Sequence, residues 1–142
     1  MYILSTKSDF DSAHFLKDYD GKCANIHGHR WTVSIDVEGS KLEESGSYRG
    51  MVVDFSELKK SLRKLTKALD HAFIMEEGSL KASTRAALEE EGFKLITFPF
   101  RPTAENFAKY FYDKMSEAGY KVAKVSVYET PNNIASYVPD KN

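Results

Sequence analysis

From Trp31 to Glu38 apolar and polar side chains alternate without a break, with Trp31, Val33, Ile35 and Val37 set against Thr32, Ser34, Asp36 and Glu38. A period of two over that length predicts a strand with one buried face. Carrying the parity backwards places His27 and His29 on the face of Trp31, roughly 6–7 Å apart along the chain. A first strand is expected from Tyr2 to about Phe10, running into His14. Gly39 to Ser47 reads as a hairpin loop, with Met51-Val52-Val53 as the returning strand. The period then changes. Leu58, Leu62, Leu65 and Leu69 form one helical stripe, opened by Asp54 with Glu57 three residues on.

A shorter helix is expected over Thr84 to Glu91, closed by Gly92, and then an edge strand over Phe93 to Phe98, ended by Pro99. Pro102-Thr103 opens a second long helix that carries Phe107, Phe111 and Met115 on one face and stops at Gly119. A last strand is expected over Lys121 to Glu129, with a short one at Ile134 to Val138. Val125 and Val127 share a parity with Glu129, which sets that carboxylate on the apolar face. Antiparallel strands with helices stacked on one face make an α+β domain.

Composition narrows the classes of function. The 142 residues read as one domain, 1–142, with no internal repeat, low-complexity tract or dividing linker. Twenty basic residues against twenty-one acidic ones, with no basic block, argue against nucleic acid as the main partner. No apolar run approaches the ~18 residues of a membrane span, and the first residues lack the pattern of a signal peptide. A lone cysteine forms no internal disulfide, so a cytoplasmic location is expected.

The informative count is four histidines and one cysteine, of which His14, Cys23, His27 and His29 fall within sixteen residues. His27-x-His29 on a strand, with a more distant His14, is a three-nitrogen set of the kind that holds a catalytic Zn²⁺ with its fourth position open. Cys23 has three readings: a fourth ligand that closes a structural site, a thiolate kept off the metal, or a plain buried cysteine. Asp70-His71 is either a helix-terminal histidine favoured by the dipole or a proton shuttle oriented by a carboxylate. Glu129, on the apolar side of its strand, needs a partner. That partner is an arginine of a neighbouring chain or a ligand offering two adjacent N–H donors, such as an aminopyrimidinone ring. Glu105, in the first turn of its helix, also simply suits the dipole.

"FDSAHFL", "CANIHGHRW", "VVDFSELKK", "LDHAFI", "PTAENFAKYF" and "VYETPNN" together, in that order, resemble the 6-pyruvoyltetrahydropterin synthase family over nearly the whole chain. The spacing Cys23-x-x-x-His27-Gly28-His29 is similar to the carboxytetrahydropterin synthase branch of the queuosine pathway. Animal pyruvoyl synthases carry a longer gap there, and the folate-linked branch a glutamate in place of the cysteine. Two features depart from the pattern: Met75 stands where the family commonly has Asn, and residues 76–101 are longer than in compact members.

The resemblance implies a tunnelling fold, with an antiparallel four-stranded sheet and two main helices on one face. Such units pair into barrels across subunits, usually as a hexamer that is a dimer of trimers, with active sites at subunit interfaces. It implies Zn²⁺ on His14, His27 and His29, Cys23 as a catalytic thiolate, and Asp70-His71 as a proton-moving pair that meets a neighbouring chain's cysteine. Glu129, with Glu105 and Thr103, would anchor the pterin. The implied substrate is 7,8-dihydroneopterin triphosphate, and the implied products are 6-carboxy-5,6,7,8-tetrahydropterin, acetaldehyde and triphosphate. A same-family enzyme that stops at triphosphate elimination and a non-catalytic zinc-stabilised pterin-binding module are the rival expectations. Lys17, Lys22, Arg30 and Arg101 are the candidates for holding the triphosphate.

Overall fold

The alternating run becomes the second strand of a computed structural model that describes residues 1–140. β1 (Tyr2–His14) and β2 (His27–Gly39) form a long antiparallel hairpin, joined through a single 3-10 turn at Lys22–Ala24. Helix α1 (Phe55–Leu69) follows, then β3 (Ala72–Glu76), α2 (Ala82–Glu90), β4 (Leu95–Phe98), α3 (Ala104–Glu117), β5 (Val122–Tyr128) and β6 (Ile134–Tyr137). The strands make one sheet in the order β4-β3-β1-β2-β5-β6.

The α+β class stands, but the sheet has six strands rather than four. The expected antiparallel set is β1-β2-β5-β6; β3 and β4 add a parallel flank to the end of β1, with β3 touching it only at Ser12 and Ala13. Met51-Val52-Val53 is not a strand. β2 already has β1 on one side and β5 on the other, so no edge remains for it, and Met51 instead closes a loop by accepting the Glu43 N–H at 2.9 Å. Strand β3 was not anticipated, because five residues carry too short a pattern.

The core lies between the sheet and the paired helices α1 and α3. Leu58, Leu62 and Leu69 meet Phe107, Phe111 and Met115 over Phe10, Trp31, Val33 and Ile35. Trp31, Phe107 and Phe111 have no solvent exposure, and each such side chain stabilises the fold by about 1.5–3 kcal/mol through burial. Caps fix where the helices begin: the Asp54 carboxylate accepts the Ser56 N–H at 2.9 Å, and Thr103 Oγ1 accepts that of Asn106 at 3.2 Å. Gly119 ends the last helix region at φ 99°, a conformation that other residues avoid. Helix α2 lies on the other side of β3 and β4, where Arg85 donates to Thr97 Oγ1.

Candidate active site

The hairpin register builds the first half of the site. His14 stands opposite His27, Ser12 opposite His29 and Phe10 opposite Trp31, all on the helix-covered face. The three imidazoles therefore converge at the open end of the core, directly above Trp31, whose ring meets those of His14 and His29 edge-on at 5.1 and 5.4 Å. One ligand atom from each of His14, His27 and His29 lies within 4.8 Å of the other two. Cys23 sits in the 3-10 turn, half-buried, and is not among these gathered side chains.

Hydrogen bonds decide what the cluster can hold. His14 Nδ1 lies 2.8 Å from the Pro102 carbonyl and His27 Nδ1 lies 2.6 Å from the Asn25 carbonyl. A carbonyl only accepts, so both rings carry their proton on Nδ1 and turn an Nε2 lone pair inward. Those two Nε2 atoms are 3.0 Å apart, lone pair against lone pair. His29 Nε2 is buried with no hydrogen-bond partner. Such an arrangement is unfavourable unless a cation takes the lone pairs, and a backbone carbonyl behind each ring is the usual support of a ligating histidine. The residues therefore fit a metal ion such as Zn²⁺, held by three nitrogens. Burial pushes His14 down to about 4, against the opposing pull of the Pro102 bond, with help from His27 and His29. His29 is lowered in the same way, chiefly by burial. Both are neutral near pH 7, as ligands must be.

The second half is the turn that ends α1. Asp70 Oδ2 accepts from His71 Nδ1 at 2.9 Å, while Asp70 Oδ1 accepts the Asp11 N–H at 2.8 Å. The His71 N–H returns to the Asp11 carbonyl at 2.7 Å. His71 adopts φ 55°, left-handed for a non-glycine residue. The Asp11 amide, then His71 and Lys94, hold the Asp70 carboxyl below the ordinary carboxylate range. Lys94 Nζ also donates to the Asp70 carbonyl at 2.9 Å. Asp11, Asp70 and His71 come close enough together to suggest a second metal group. Both Asp70 oxygens already accept hydrogen bonds, and Asp11 Oδ2 receives Arg30 at 3.0 Å.

A cavity of about 710 Å³ joins the halves. Gly28, His29 and His71 line it on the sheet side, and Phe73, Leu88 and Phe93 form an apolar wall. On the other flank of the histidines, Glu129 Oε1 lies 3.7 Å from His29 Nε2. Glu129 and Glu105 share a small hollow of about 160 Å³ with Asn133 and Ile134. Thr103 lies at the same helix start, but its hydroxyl oxygen is engaged as the cap. The roles of the Pro102 and Asn25 carbonyls and of the Asp11 amide had no signal in the sequence, since a backbone group carries none.

Comparisons with known proteins place the chain in a family. A profile of the 6-pyruvoyl tetrahydropterin synthase family matches residues 3–140. A 6-carboxy-5,6,7,8-tetrahydropterin synthase of Haemophilus influenzae is 34% identical over 140 residues, covering 96% of this chain and 99% of that one. A protein of the same name from Aquifex aeolicus is 35% identical, over 88% of this chain and 82% of its own length. Among solved structures, the Plasmodium vivax 6-pyruvoyltetrahydropterin synthase superposes with a TM-score of 0.72 at 24% identity, covering 99% of this chain and 98% of that one. An uncharacterised protein from Wolinella succinogenes does so with a TM-score of 0.78 at 21% identity, covering 98% of each chain. Both structures speak to the fold alone. The chain belongs to the 6-pyruvoyl tetrahydropterin synthase family.

Proposed function

We propose that this chain is a zinc-dependent lyase, a 6-carboxy-5,6,7,8-tetrahydropterin synthase of the queuosine pathway acting on 7,8-dihydroneopterin triphosphate. The observation that carries the reading is one cavity lined both by His29, a member of the three-imidazole cluster, and by His71, whose ring Asp70 holds. The names of the Haemophilus and Aquifex relatives support the choice of branch.

His14, His27 and His29 would hold Zn²⁺, which supplies Lewis acidity toward the side-chain hydroxyls of the substrate. Glu129, with Glu105 beside it, accepts the paired N–H donors of the pterin ring, and Thr103 fixes the helix start that carries Glu105. Cys23, as thiolate, removes a proton from a side-chain carbon. His71 moves protons at its Nε2 while Asp70 holds its Nδ1. The electrons gained by the ring are those lost when the side chain is cut, so no external reductant is used. The lone cysteine supports a cytoplasmic setting. Among the described residues, no helix is long and apolar enough to cross a membrane.

Assembly into barrels is part of this reading. Among the described residues, β1 has no strand partner on its outer side before Ser12. Lys59 caps the Lys7 carbonyl there and Asp70 the Asp11 amide. The open stretch of this edge is residues 2–6, the other outer edge is the four-residue β6, and exposed Tyr2, Ile3 and Ile134 sit at these two edges. Edges of this kind pair with other chains.

The test is mass spectrometry of products after zinc-loaded protein meets 7,8-dihydroneopterin triphosphate. Carboxytetrahydropterin with acetaldehyde is expected. Pyruvoyltetrahydropterin would reassign the branch, and unchanged substrate with zinc bound would make the chain a binding module.

A further inference from the structure

Of the four basic residues singled out in the sequence for the triphosphate, Arg30 and Arg101 are already engaged. Arg30 is committed to Asp11 at 3.0 Å and, more loosely, to Asp9 at 4.0 Å. Arg101 donates to the Lys17 carbonyl. A different group of cations is gathered on the far side of Asp70. Lys59, Arg63 and Lys67, spaced four residues apart on α1, flank a groove of about 550 Å³ whose opposite wall is β1 at Lys7, the ammonium of Lys7 itself lying over the Tyr128 ring at 5.5 Å. None of these four forms an ion pair among the described residues.

Two carboxylates also line the groove, and each is already compensated. Asp9 accepts the Thr32 hydroxyl at 2.8 Å and has Arg30 nearby. Asp70 has one oxygen on the Asp11 amide and the other on His71. The three cations of α1 thus remain without counter-charge in a concave site, within a chain of net charge −1. The floor is fixed: the buried hydroxyls of Ser8 and Thr66 bond at 2.8 Å, and Lys59 is drawn inward by its bond to the Lys7 carbonyl. Concave walls of one sign concentrate an oppositely charged ligand.

We propose that this groove binds a condensed phosphate, the triphosphate group of the substrate, through Lys59, Arg63 and Lys67. The proposal rests on the functional reading above and extends it. Asp70 forms the end of the groove and holds His71, so phosphate binding and proton movement meet at one carboxylate. The free triphosphate released by turnover has the same chemistry and competes for the same place.

The experiment uses the zinc-loaded protein with inorganic triphosphate as probe, followed by calorimetry and by inhibition of turnover. Arg63→Gln and Lys67→Gln, both at exposed positions, are compared with Lys60→Gln and Lys64→Gln, which lie on the same helix outside the groove. Each groove variant is expected to weaken triphosphate binding about tenfold and to raise KM by a similar factor, the size of one lost charge-assisted hydrogen bond. The control variants are expected to do neither. Equal effects from both pairs would leave only a diffuse positive field and overturn the site. Normal turnover with both pairs silent would overturn it while sparing the functional reading. Triphosphate binding that is lost in the groove variants of a protein without turnover would uphold the site and sink that reading. Melting curves of all four variants separate these results from misfolding.

Discussion

His71 is held in a conformation that costs an ordinary residue about 1–2 kcal/mol. Its N–H donates to the Asp11 carbonyl and its ring to the Asp70 carboxylate, which the Asp11 amide holds in turn. Strain kept at one exposed imidazole suggests that position matters more than stability, and glycine separates the two. His71→Gly should leave the unfolding free energy unchanged or raise it by up to about 1 kcal/mol, while kcat falls at least about 100-fold. A clearly destabilised variant with normal kcat would make the turn merely structural. Cys23 gives a second separation. Cys23→Ala should keep its zinc and its fold yet lose turnover, and zinc loss on metal analysis would show the thiol to be a ligand. At this scale the sequence was partly legible. The His-x-His parity follows from a period of two, and the cluster follows from it. The left-handed turn at His71 and the carbonyls behind His14 and His27 were hidden, because backbone acceptors have no residue type.

Elements carry the site by where they end. The cap of α3 is Thr103, and the residue before it supplies the carbonyl that orients His14. Thr103→Ala should therefore cost about 1 kcal/mol in denaturant unfolding and also weaken zinc retention against a chelator, whereas Thr103→Ser should restore both. Loss of stability with unaltered zinc affinity would uncouple the cap from the metal. The long elements were readable because stripes such as Leu58 to Leu69 repeat over about three turns. The misreadings are short. Met51-Val53 has three apolar residues but no vacant strand beside it, and Ala72–Glu76 is a strand only because the end of β1 offers a parallel edge. Both depend on what lies alongside, which local pattern does not contain.

For the whole molecule, the buried histidine sets how stability varies with pH. In the folded, metal-free chain burial pushes His14 down to about 4, whereas the exposed imidazole of the unfolded chain stays near 6.5. Between those values the unfolded chain takes up a proton that the folded chain refuses. Stability therefore rises with pH in this window, is fully present above about 6.5, and is lost progressively as pH falls toward 4. The full loss is roughly 3 kcal/mol, a large share of the margin of a small domain. His29 is lowered too and adds to the same slope. Asp70 acts with the same sign in a lower window: its folded carboxylate resists protonation, so its contribution fades only below the ordinary range of an aspartate. Urea unfolding of chelator-treated protein between pH 7 and 4.5 should show the decline, and His14→Gln should flatten most of it whatever its own starting stability. Equal slopes in the two proteins would place the titration elsewhere. With zinc present the fall should be steeper, since protons then compete with the metal for the same nitrogens.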